Sequence, residues 1–164
     1  MKISLASIAR YFLIGIDAGI CTDDEARAWS IAVIDAFDFP PGEIIEVSWN
    51  KPRSSLREDL NSVVGVADLE QVGRWLLGTL RARYSPDETL WWPQKAALHV
   101  VNATGLDESI HYAFDGIGDE LALAEQGVWG TVADARGSFQ CLLAEFDPPP
   151  FLNGWADTIF AADV

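Results

Sequence analysis

The sequence predicts an all-α fold: one domain over residues 1–164, built as a bundle of about seven to eight mostly antiparallel helices. Three observations carry this. Apolar residues recur at helical spacing in segment after segment. Thr, Ser or Asp stands ahead of these segments, and Gly or Pro stands behind them. Alternating, strand-like runs are scarce, and short connections between helices favour antiparallel neighbours. With 49% apolar residues and seven tryptophans the chain has ample material for a core.

The elements follow in order. Leu5, Ile8, Phe12 and Ile16 form a helical stripe over residues 4–18, with Gly15 inside it. Gly19 closes that helix, and Ile20 packs back on its last turn. Thr22 and Glu25 form a capping box, followed by Ala26, Trp29, Val33 and Phe37 on one face; Ile31 and Ile34 widen that face. Pro40 and Pro41 stop this helix. The run GEIIEVSW suits a short helix or a strand, and Pro41 as a first helical residue favours the helix. In NKPRSSLREDL a turn leads to a helix with Leu56, Leu60, Val63 and Val64 inward, ended by Gly65.

Asp68 starts the next helix with Gln71 as reciprocal capping partner, and Val72, Trp75, Leu76 and Leu80 line its buried side. Arg74, Arg81 and Arg83 lie opposite. Ser85-Pro86-Asp87-Glu88 is a further start signal, while Pro93 implies either a break after Trp92 or a kink. Ala96, Ala97, Val100 and Val101 carry the pattern to Gly105. Asp107 caps a helix reaching about Gln126, weakened in the middle by Gly116 and Gly118. Thr131 and Asp134 open another, with Phe139, Leu142, Leu143 and Phe146, stopped by Asp147 and three prolines. Phe151, Trp155, Ile159 and Phe160 predict a short closing helix docked on the core.

Charge sets the first functional constraint. The chain has 11 bases and 25 acids, a net of −14; residues 85–164 hold 13 acids and only Lys95 and Arg136 as bases. Direct nucleic-acid binding is disfavoured, because phosphate contacts need Lys and Arg. A basic protein would instead be steered to this half, though solubility alone also accounts for an acidic surface. Tyr11–Ile16, fenced by Arg10 and Asp17, is too short to span a bilayer and lacks the layout of a secretory signal. Cys21 and Cys141 are therefore expected to be reduced, buried thiols in a cytoplasmic protein.

Motifs for chemistry are weak, and no cofactor or metal is implied. His99 and His111 belong to no zinc-binding spacing. His111, Asp115 and Asp119 fall at i, i+4 and i+8 and offer a nitrogen and two carboxylates on one helix face; a solvated acidic face is the simpler reading. Gly116-Ile117-Gly118 lacks the rest of a phosphate loop, and Ser109 beside His111 is no triad. Cys141, between Phe139 and Leu142, reads as an inert core thiol. Trp91 and Trp92 read as core, with Trp92 open as an exposed anchor.

The stretch GICTDDEARAWSIAVIDAFDFPPGEIIEVS, Gly19–Ser48, resembles a segment of small uncharacterised bacterial helical proteins, some of which look like immunity proteins that neutralise toxins. The shared features are the cap, a helix with a central tryptophan, a proline turn and the Ile-Ile-Glu segment. The resemblance implies an all-α fold and a protein-binding role; it carries no functional residue. The expected function is thus a non-enzymatic module binding a basic, toxin-like protein. Asp107, Glu108, Asp115, Asp119, Glu120 and Glu125 form its attractive surface, with Trp92 as a candidate anchor. The alternatives are a small enzyme with a metal-assisted His111 face and a subunit self-associating through exposed tryptophans.

Overall fold

The computed structural model describes residues 2–161. Among them the order is β1 (Lys2–Ser4), α1 (Leu5–Asp17), α2 (Asp23–Ala36), α3 (Gly42–Ser48), α4 (Arg53–Ser62), α5 (Leu69–Arg83), α6 (Trp91–Thr104), α7 (Glu108–Glu125), α8 (Val132–Leu143) and β2 (Ile159–Ala161). The fold is all-α; β1 and β2 are a three-residue parallel pair, with Ile3 opposite Phe160. Two compact units divide the chain. Unit 1 takes residues up to Val72 and those from Pro150 on; unit 2 is Gly73–Pro149, so the boundary falls inside α5.

In unit 1, α1 ends in a Schellman motif. Ile20 N–H donates to Gly15 O and Gly19 N–H to Ile16 O, with Gly19 at φ 75°. The box at Thr22 is complete: Glu25 N–H donates to Thr22 Oγ1, and Thr22 N–H donates to Glu25 Oε2 at 2.8 Å. Trp29, Val33, Leu56, Leu60, Ile44 and Val47 are buried with the α1 stripe. GEIIEVS is a helix, and Pro41 precedes it as N-cap, its carbonyl accepting from Ile44 and Ile45. Arg10 joins α1 to α4 by donating to the last carbonyls of α4, Leu60 O and Asn61 O.

Ile31 and Val64 do not face the core, and the tail is not a helix, contrary to the sequence pattern. Ile31 is 51% exposed, since it lies about 200° round the helix from Trp29. Val64 is 70% exposed, because α4 ends at Ser62 and Val63 is already extended. At Asp68 the carboxylate accepts from Gln71 N–H as predicted, but Asp68 N–H goes to Ser7 Oγ, a hydroxyl that sequence spacing does not point to. The tail docks but is not a helix. Phe151 and Trp155 stack at 4.6 Å, Phe151 meets Tyr11 edge-on, and Trp155 meets Phe12. Gly154 sits at φ 140°, and the β-branched and aromatic Thr158-Ile159-Phe160 runs into β2.

In unit 2, α5 is buried on most of its girth from Trp75 to Leu80. Gly78 is required there: a Cβ would lie 2.2 Å from the backbone carbon of Asp147. Ser85–Glu88 makes only a turn, and α6 starts at Trp91. Pro93 neither breaks nor kinks α6. It is the third helical residue, where no N–H is needed by the ladder, and Gln94 N–H makes the bond to Leu90 O. α7 runs unbroken through Gly116 and Gly118. A Cβ at Gly118 would come within 2.8 Å of Gln94 Nε2, so this glycine makes room for a buried amide that donates to Phe114 O.

Candidate partner-binding face

The six predicted acids all lie on α7 or its cap, and the structure sorts them. Asp107 is the N-cap; its Oδ1 accepts from Ser109 N–H at 2.8 Å. Hydrogen bonding from Ser109, hydroxyl first and backbone second, holds its carboxyl below the ordinary value of 3.8. Glu108 accepts from the Tyr112 hydroxyl at 3.0 Å. Glu125 accepts from Trp91 Nε1–H, with both carboxylate oxygens within 3.2 Å. Asp115, Asp119 and Glu120 have no hydrogen-bond or ion-pair partner among the described residues. Asp115 and Asp119 are exposed, whereas Glu120 is half-buried.

Helix geometry explains the sorting. Phe114, Ile117 and Leu121 are the buried stripe of α7. Glu108, Tyr112, Asp115, Asp119 and Leu123 recur at steps of three and four on the opposite, exposed side. This stripe spans about 22 Å, at 1.5 Å per residue. Between Lys95 and Arg136 the chain has no Lys or Arg at all. Unit 2's Arg81 donates to Ala144 O and pairs with Asp147; Arg74 lies over the Phe146 ring; Arg136 donates to the Tyr84 hydroxyl and Glu88 O. None of these contacts reaches α7.

At the C-terminal end of the stripe the chain turns through a second Schellman motif. Val128 N–H donates to Leu123 O and Gly127 N–H to Ala124 O, with Gly127 at φ 68°. The turn displays Val128 and Trp129, about two-thirds exposed each, with Leu123 and Val132 beside them in sequence and more than a third exposed. Sequence reasoning missed Trp129. Its signal was present: a tryptophan between two glycines, Gly127 and Gly130, outside any helical stripe. Trp92, the expected anchor, is instead half-buried and donates to Glu88 Oε2 at 2.9 Å; Trp91 is half-buried too, so neither is plain core.

The remaining candidates resolve differently. His111, Asp115 and Asp119 do not converge; among the described residues no three His, Cys, Asp or Glu side chains are placed to share a metal ion. His111 Nδ1 is buried without a partner, and His99 is exposed. Cys141 is exposed, not core, because Ala135, Phe139 and Leu143 face inward and Cys141 lies about 200° from Phe139. Cys21 is buried, and neither cysteine forms a disulfide among the described residues. A pocket of about 170 Å³ between the first half of α7 and the end of α8 is lined by Ser109, Ile110, Ala113, Phe114, Leu142, Glu145 and Phe146. It is smaller than the roughly 300 Å³ at which ligand pockets begin.

No helix of the described residues is long and apolar enough to cross a membrane. No protein family, no curated protein and no solved structure matches this chain.

Proposed function

We propose that this protein is a non-enzymatic, cytoplasmic protein-binding module of the immunity type, holding a basic, toxin-like protein against the exposed side of α7. The observation that carries this is the run of uncompensated carboxylates at Asp115 and Asp119, flanked by Glu108 and Glu120, in a stretch without Lys or Arg. Such a face raises the association rate of a cationic protein and rejects anionic ones; affinity then depends on apolar contacts beside it. The resemblance of Gly19–Ser48 to immunity-like bacterial proteins supports the same reading. The test is co-expression with the basic polypeptides encoded beside this gene. The expected result is protection of the host and a co-purifying complex, both lost when Glu108, Asp115, Asp119 and Glu120 are changed to Lys. Equal protection by that variant overturns the reading.

A second reading is a small enzyme working through His111, favoured by the unpartnered Nδ1. Its metal-assisted version does not fit, since Asp115 and Asp119 stand apart from that nitrogen as a ligand set. An unchanged phenotype in His111→Ala would end it.

A further inference from the structure

We infer that the occupant of the α7 face is a basic, amphipathic segment of the partner, and that Trp129 is the apolar anchor on which it closes. This rests on the protein-binding reading above and adds what the partner must present.

Leu123 and Val128 have a local reason to be where they are: a contact between these two positions commonly accompanies a Schellman turn. Trp129 has no such reason. It is 65% exposed, and its indole N–H has no partner among the described residues. The three other tryptophans of unit 2 differ: Trp75 is buried, and Trp91 and Trp92 donate to carboxylates. An exposed tryptophan beside Val128, at the end of a helix with a polar face, has the composition of an interface centre.

Charge selects the occupant. A second copy would bring like carboxylates together over the stripe, which Coulomb repulsion opposes. A cationic segment is attracted along the stripe from Glu108 to Asp119, and the turn bonded to Leu123 O at the end of the same helix carries Trp129. Size limits it further. A stripe about 22 Å long and one helix diameter wide, about 10 Å, is far below the roughly 800 Å² that each partner buries in a standard globular interface. The occupant is therefore a helix or extended run of the partner with Lys or Arg on one side and an apolar group placed to meet Trp129.

The test uses the full chain and three 18-residue peptides, the length of α7. The first carries Lys on one helical face and Leu on the other; the second has Ser for Leu; the third has Glu for Lys. Calorimetric titration at low salt is expected to show the Lys/Leu peptide binding at least tenfold tighter than the Lys/Ser peptide, with no binding by the Lys/Glu-exchanged one. Trp129→Ser is expected to remove that tenfold advantage while leaving the Lys/Ser affinity unchanged; Val128→Ser is expected to do so in part. Because both positions are exposed, thermal melting of each variant should match the parent. Equal binding of the first two peptides, or an advantage that survives Trp129→Ser, overturns the anchor and leaves the acidic-face reading standing. Binding that survives Glu108, Asp115 and Asp119 changed to Lys, or no binding by any peptide, overturns both.

Discussion

Asp17 and Asp115 are both exposed aspartates on helices, yet their situations are opposite. Asp17 is clamped by Arg57, with Nε and Nη2 at 2.6 and 2.7 Å from its two oxygens. Around it in unit 1, Asp23 pairs with Arg53, Asp24 with Arg27, and Glu46 and Asp59 share Lys51. Asp115 has no partner among the described residues, and its α7 neighbours meet only neutral donors, Tyr112 and Trp91. Counting charges points the other way: unit 1 holds six bases and fourteen acids, a net of −8, and unit 2 five bases and eleven acids, a net of −6. The imbalance of the chain's second half is thus not the imbalance of a folded unit, because Arg74, Arg81 and Arg83 fall in unit 2. Unit 1 also has acids without a partner among the described residues, Asp35, Asp38 and Glu58, but they are scattered; what distinguishes α7 is a continuous helix face of acids with no base among them, rather than a count. Carboxylates already paired attract little, and unpaired ones on a continuous face attract a cation along its length.

The comparison requires that unit 1's clamps stand on a rigid core. Trp29, fully buried against Phe12, is its largest element. Trp29→Ala should cost about 4 kcal/mol in urea unfolding, the largest single effect expected. Gly78→Ala tests the corresponding support in unit 2. A methyl group there collides with the Asp147 backbone and pushes Asp147 from Arg81, at a cost of about 3 kcal/mol. A loss under 0.5 kcal/mol in either case would contradict the packing described.

The caps make a finer contrast. Thr22 serves a two-way box, whereas Thr131 only accepts from Asp134 N–H at 3.1 Å. Thr22→Ala should therefore cost about 1.5 kcal/mol and Thr131→Ala about 1 kcal/mol, read from the unfolding midpoint. The reverse order would mean that Glu25 adds nothing.

The smallest effect is in pH. Asp107 has its folded value lowered, so its contribution is fully present above the ordinary 3.8 and is lost as pH falls through the lower folded value. Lys51, raised above 10.5 by its bonds to Asp59 and then Glu46, contributes below 10.5, and that contribution is lost as pH rises through the raised folded value. Unfolding curves of Asp107→Asn should lack part of the parent's acid-side loss, and those of Lys51→Met part of its alkaline-side loss. Curves parallel to the parent would contradict the assignment.

Much of the fold was legible because its signals are local. The Thr22 box, the Gly19 turn and the α1 stripe follow from neighbours within four residues. What was not legible depended on distant partners. Gln94 and Gly118 together explain why α7 does not break, and only packing brings them together. β2 forms because β1 offers a partner more than 150 residues away. Ser85–Glu88 carries a start signal, yet the helix waits until Trp91, whose indole finds the Glu125 carboxylate 34 residues away. The candidate face was half legible. The acids were visible as a count, but that Asp115, Asp119 and Glu120 lack partners while Asp107, Glu108 and Glu125 have them was not, and Trp129 was hidden in a glycine-flanked turn that periodicity passes over.

Association kinetics test most directly whether the uncompensated carboxylates of α7 attract a cationic segment. The association rate of the Lys/Leu peptide should be measured by stopped flow between about 20 mM and 500 mM salt, a range over which screening shortens from about 20 Å to about 4 Å. The account predicts a steep fall for the parent chain and a low, flat profile once Glu108, Asp115 and Asp119 are changed to Lys. The same steep profile in both chains would contradict it.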